Sequence, residues 1–199
     1  MLRLGFLASH GGSGMRAVLS AISAGELNAE ARILISNNRD CAAVAAAEAT
    51  GLPWRHITAA TEGGGEAADA AISETLAGSG AELVVLSGYM RKLGPKTLHR
   101  FKGRVLNIHP ALLPRHGGQG LYGRRVHEAV RAAGDAVSGA SIHLVDADYD
   151  TGPVIASAEV PVHPGDSVDD IEARVRAIEP ELMVQTLKRI AAGALTLPA

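Results

Sequence analysis

The feature that most restricts how this chain can fold is an alternation. Residues 4–9, 32–36, 54–57, 83–87 and 105–108 are short runs rich in Val, Ile and Leu, and Ala-rich stretches lie between them at 17–24, 42–50 and 67–76. Short apolar runs suit strands buried on both faces of a parallel sheet, whereas alanine has the highest intrinsic helix propensity. Such an alternation predicts an α/β fold with a doubly wound, mainly parallel sheet. Past a Gly/Arg-rich stretch at 114–125, a short helix at 126–133 leads to two further strands, 139–145 and 154–161, read as an antiparallel C-terminal extension. A last helix opens at Asp166-Ser167, with Asp169 and Asp170 in its first turn, where carboxylates suit the positive helix end. No repeat, linker or low-complexity tail interrupts the pattern, so residues 1–199 are expected to form one domain.

Composition excludes several classes of function. The chain has 199 residues, 47% of them hydrophobic and 20% charged, and a formal net charge of -2, which gives no electrostatic case for a nucleic-acid partner. No apolar run approaches the roughly 20 residues needed to span a bilayer, and no signal-peptide core follows Met1-Leu2-Arg3. The single cysteine, Cys41, cannot form an internal disulfide and lacks the neighbours of a metal site, which suits a reducing cytoplasm. The partners expected are therefore small molecules, with no nucleic acid, no membrane and no metal. Monomer and homodimer both remain open.

In a doubly wound sheet, ligands sit outside the carboxyl ends of the strands. The loop after the first strand reads Ser9-His10-Gly11-Gly12-Ser13-Gly14 and runs into a helix, where backbone N–H groups and the helix dipole can hold an anion. Its glycine spacing is neither that of a dinucleotide fingerprint nor that of a P-loop. Phosphate binding and a tight glycine turn both fit it. At the end of the fifth strand, Asn107 and His109 are two residues apart and share a face, so both point toward one cleft before Pro110 breaks the strand. An amide N–H donates to an oxyanion and an imidazole moves protons, a pairing that suits acyl transfer, although a hydrogen-bonded structural pair fits equally. Asp146, Asp148 and Asp150 follow in one loop; a carboxylate near a histidine raises its proton affinity, and Asp150 precedes the turn Thr151-Gly152-Pro153. The residues alone leave the choice among the three carboxylates open.

Taken together, Asn107-Ile108-His109-Pro110 with Leu112-Leu113-Pro114, and Asp150-Thr151-Gly152-Pro153, resemble the folate-dependent formyltransferases. Ser13 in its glycine-rich turn, Gly88-Tyr89-Met90-Arg91-Lys92-Leu93 after the fourth strand and the chain length resemble the purine-synthesis branch of that family, over nearly the whole chain. The resemblance implies a Rossmann-like formyltransferase fold, 10-formyltetrahydrofolate as co-substrate and the amine of 5-phosphoribosylglycinamide as acceptor. It implies that Gly12, Ser13 and Gly14 hold the acceptor's phosphate and that Glu179 contacts its glycinamide part. Met90, Arg91, Lys92 and Leu93 are implied to line the folate pocket, with Asn107 binding folate and the formyl oxygen. His109 is the implied catalytic acid, and Asp150 the group that raises its pKa.

The chain departs from the family pattern in three places. Gly14 stands where the family loop commonly has Asn, Gly65 aligns with a family arginine, and the loop at 115–125 is long, like that of a Gly/Tyr-containing branch, and is expected to flank the cleft as a flap. His143 is expected to be a structural histidine and His127 a solvated one. The competing functions are another folate-dependent N-formyltransferase, a formyltetrahydrofolate deformylase, or, in a different class, a catalytically silent folate- or nucleotide-binding module.

Overall fold

The structure, a computed structural model, describes residues 1–198. Its sheet has seven strands in the order β3-β2-β1-β4-β5-β6-β7: β1 (Leu2–Ala8), β2 (Ala29–Ser36), β3 (Trp54–His56), β4 (Leu83–Leu86), β5 (Val105–His109), β6 (Val137–Leu144) and β7 (Val154–Pro161). The first five pair in parallel. β6 then runs antiparallel to β5, and β7 antiparallel to β6. The doubly wound, mainly parallel sheet with an antiparallel C-terminal extension is thus the observed architecture.

Alternation along β1 shows how the helices are shared between the faces. Leu4, Phe6 and Ala8 pack in one apolar cluster with Met15 and Val18 of α1 (Ser13–Ser23), Val44 of α2 (Ala42–Thr50) and Leu187 of α7 (Val168–Ala191). Leu7 packs in the other, with Ile72 and Leu76 of α4 (Gly65–Gly78). Residues two apart on a strand share a face, so each face carries its own core. Over the antiparallel end, Val130 of α6 (Arg124–Ala133) meets Ala140, Val160, Ile171 and Val175. The last helix starts as the sequence predicts, with Ser167 and Asp170 forming a reciprocal capping box. Two short helices, α3 (Ala59–Glu62) and α5 (Pro95–Arg100), lie outside the Ala-rich stretches read from the sequence. α5 is set instead by the buried Asp69 on α4, whose carboxylate accepts the backbone N–H groups of Lys96 and Thr97 and so fixes where the loop after β4 ends. Among the described residues, no helix is long and apolar enough to cross a membrane.

Candidate active site

The parallel strands β1, β4 and β5 end on the same edge, and a single side chain ties two of the loops there. Ser9, buried just past β1, donates from Oγ to Asn37 Oδ1 at 2.5 Å and accepts the Met90 N–H at 2.8 Å, while its own N–H donates to the Gly88 carbonyl. The loop after β4 is thereby held against the loop after β1. Ser87 strengthens the tie by accepting the Met15 N–H at 3.0 Å.

The loop before α1 turns at Gly12, which has φ 58 and caps the helix in a left-handed conformation. A Cβ there would lie 2.8 Å from that of Ala43, so both the backbone angle and the space require glycine. The N–H groups of Ser13 and Gly14 open α1 with no acidic residue in the first turn and no partner among the described residues. Such a helix end favours an anion. Arg91 and Lys92 are exposed beyond β4, Met90 is 46% exposed, and Leu93 is buried in the apolar cluster below α4. Lys92 Nζ stands 5.3 Å from the centre of the Tyr149 ring, linking this segment to the loop that carries Asp150.

Asn107 and His109 leave β5 on one face, opposite His143 and Ser141 of β6. His143 Nδ1 donates to the Leu144 carbonyl at 2.9 Å, so in the neutral ring Nε2 accepts one Nδ2 hydrogen of Asn107, at 3.0 Å. The second Nδ2 hydrogen of Asn107 is left for another acceptor. His143, expected to be a structural histidine, therefore orients the amide beside His109. The antiparallel pairing of β5 with β6, which the sequence alone did not assign, sets His143 directly across from Asn107.

His109 is 3% exposed and is gripped at both nitrogens. Nε2 donates to the His116 carbonyl at 2.8 Å, which fixes the neutral tautomer, and Nδ1 faces Asp150 Oδ2 at 3.4 Å. Asp150 Oδ1 lies 3.4 Å from His143 Nε2. Burial pushes Asp150 up, but its contact with His143, the charge of His109 and the Gly118 N–H donated at 3.0 Å together hold it below the ordinary carboxylate range. Asp150 is thus a carboxylate at neutral pH. Burial lowers the pKa of His109, and although Asp150 and the His116 carbonyl pull upward, the balance stays below the ordinary histidine value. The upward pull expected from Asp150 is present, then, but desolvation outweighs it. The free protein carries a neutral imidazole whose Nδ1 lone pair faces a carboxylate, an arrangement that turns into an ion pair when Nδ1 takes a proton.

Of the three loop carboxylates, Asp150 is the one that reaches the histidines. Asp146 instead accepts Thr151 Oγ1 and the Asp148 N–H within the turn. The Thr-Gly-Pro turn has a steric reason, since a Cβ on Gly152 would lie 1.8 Å from the Leu144 carbonyl oxygen. The loop at 115–125 meets the cluster through the His116 carbonyl and the Gly118 N–H. Gly65 opens α4 and carries no side chain to replace the arginine of the family pattern.

Other residues fall outside this cluster. Glu179 lies on α7 and makes no hydrogen bond or ion pair among the described residues. Burial raises its pKa to about 7, against the opposing pull of Arg176 and with some help from Glu172. His127 is buried rather than solvated, because its face of α6 also carries Val126 and Val130; its Nδ1 finds no partner among the described residues, and burial lowers its pKa. Arg124 pairs with Asp169 and Glu128, and Arg125 stacks over Tyr122, so the paired arginines engage surface neighbours.

An amide, an imidazole and a carboxylate gathered at one sheet edge are groups suited to acyl transfer. The chain belongs to the formyl transferase family, whose model matches residues 2–187. It is 38% identical over 194 residues to a phosphoribosylglycinamide formyltransferase of Mycobacterium tuberculosis, covering 98% of this chain and 87% of that protein. A chloroplastic phosphoribosylglycinamide formyltransferase of Vigna unguiculata is 33% identical over 188 residues, which is 94% of this chain but only 60% of the relative's length. Among solved structures, glycinamide ribonucleotide transformylase 1 from Symbiobacterium toebii superposes with a TM-score of 0.91 at 33% identity, covering 100% of this chain and 92% of the other.

Proposed function

We propose that this chain transfers the formyl group of 10-formyltetrahydrofolate to the amine of 5-phosphoribosylglycinamide in purine synthesis. The observation that carries the reading is the placement of His109 between the Asp150 carboxylate and the His116 carbonyl, with the Asn107 amide alongside at the strand ends. The acceptor's phosphate sits on the N–H groups of Gly12, Ser13 and Gly14, with Glu179 toward its glycinamide part. The folate lies along Met90, Arg91, Lys92 and Leu93.

The neutral amine attacks the formyl carbon and the carbonyl oxygen becomes an oxyanion. The free Nδ2 hydrogen of Asn107 donates to that oxygen, which rewards the transition state over the ground state. As negative charge develops beside it, His109 gains proton affinity. Nδ1 takes the proton released by the attacking nitrogen, and Asp150 stabilises the imidazolium. His109 then returns this proton to N10 of the folate as the carbon–N10 bond breaks. One C–N bond forms, one breaks, and one proton moves from the acceptor nitrogen to N10, with no covalent enzyme intermediate.

The test is tetrahydrofolate formation from 10-formyltetrahydrofolate with and without phosphoribosylglycinamide. Acceptor-dependent release is the expected result. Release that ignores the acceptor would identify a deformylase, and folate binding without product in either reaction would identify a silent binding module.

A further inference from the structure

Among the described non-glycine residues, only two have positive φ, His116 at 55 and Asp150 at 57, and both act on His109. Asp150 faces Nδ1 and the His116 carbonyl takes the proton of Nε2. A left-handed backbone at a non-glycine residue is unfavourable and persists only where its surroundings enforce it. At Asp150 the Gly118 N–H and the two histidines supply that enforcement. At His116 it comes from the side chain, because His116 Nε2 lies 2.6 Å from Asp135 Oδ2, with the pair 15% and 9% exposed. Arg115 grips the other oxygen of the same carboxylate.

The position of Asp135 calls for a reason of its own. It follows Gly134, the left-handed cap at the C-terminal end of α6, and its N–H returns to the Val130 carbonyl. A carboxylate there stands at the negative end of the helix dipole, where a cation is favoured. The bridge to His116 and Arg115 offsets that penalty and holds Asp135 below the ordinary carboxylate range, with the His116 hydrogen bond outweighing burial.

We propose that Asp135 is a positioning residue: by clamping the His116 side chain it holds the His116 carbonyl on His109 Nε2, and so reserves Nδ1 for the proton that moves during formyl transfer. The proposal rests on the function above. Its structural half, the control of which His109 nitrogen carries the proton, stands independently. Both residues act through His109. A free imidazole distributes its proton between both nitrogens, so a ring without this clamp spends part of its time with Nδ1 already protonated and unable to accept.

The test uses the full chain and three variants, Asp135→Asn, His116→Asn and the double variant. Asparagine tolerates positive φ, so His116→Asn adds no backbone strain of its own while losing the imidazole contact to Asp135 that pins the carbonyl on His109. The nitrogen chemical shifts of His109 report where its proton resides, and turnover is measured alongside. The wild type is expected to hold the proton on Nε2. Each single variant is expected to move His109 toward a mixture and to lower kcat about tenfold, the scale on which orienting partners of functional histidines act. KM for both substrates should change little, and the double variant should lose no more than either single one, because one clamp has been broken twice. His109 nitrogen shifts that stay at their wild-type values in both single variants would overturn the proposal, as would fully additive losses. If the shifts respond as expected but the wild type transfers nothing to phosphoribosylglycinamide, the clamp stands and the functional reading fails.

Discussion

The proposed anion loop after β1 presents backbone: two N–H groups at a helix end and a glycine that makes the turn, with no acidic residue in the first helical turn and Arg16 tied back to the Gly11 carbonyl. The cluster at the end of β5 is drawn from four separated parts of the chain, with the side chains of Asn107 and His109 on β5, the His116 carbonyl in the following loop, and the side chains of His143 on β6 and Asp150 beyond it. Holding a fixed charge needs only dipoles that do not move. Moving a proton needs groups whose affinities change as the reaction proceeds, and those must be buried, oriented and set against one another. This explains why burial dominates the pKa of His109, whereas the anion loop involves no titration.

Three substitutions press on that contrast, in order of decreasing expected effect. Asn107→Ala removes the amide proposed to meet the oxyanion and should lower kcat by roughly 10²–10³ with KM for folate little changed, since the proposed interaction exists mainly in the transition state. Near-wild-type turnover would remove Asn107 from the mechanism. Gly12→Ala acts on the backbone site: it places a Cβ 2.8 Å from that of Ala43 at a φ of 58. The substitution should destabilise the fold by more than about 1 kcal/mol and raise KM for the acceptor well above any change in KM for folate. Equal changes in both constants would mean that the loop does not serve the acceptor alone.

The smallest effect is expected at Glu179, whose pKa rises from 4.5 to about 7 through burial. Between those values the folded protein holds more protons than the unfolded chain, so this group's contribution to stability falls as pH rises across the window. Glu179→Gln should therefore raise Tm at pH 8 and leave it nearly unchanged below pH 4.5, as read by thermal melts at the two pH values. An unchanged Tm at pH 8 would show that the carboxyl is not desolvated.

The contrast also marks what the sequence makes legible. The parallel strands are apolar runs, and the Ser167–Asp170 capping box is a local pattern, so the fold class and the start of α7 follow from neighbouring residues. The glycine turn at Gly12 is legible for the same reason. Asn107 and His109 are legible as a pair because strand periodicity puts them on one face, but preferring Asp150 over Asp146 and Asp148 needed the family resemblance. His116 and Asp135 carry no sequence signal: their roles depend on a positive φ and on a contact across 19 residues, neither of which composition or periodicity encodes. The burial of His127 and the short helix α5 are likewise products of packing, the latter fixed by Asp69 from another helix.

The most direct test of the central claim, that His109 moves the proton during formyl transfer, is to compare turnover and folate affinity in His109→Ala. The account predicts that kcat falls by roughly 10²–10⁴, the range typical of a lost general acid–base group, while folate still binds within a few-fold of wild type. Turnover within about tenfold of wild type, with folate binding intact, would contradict it.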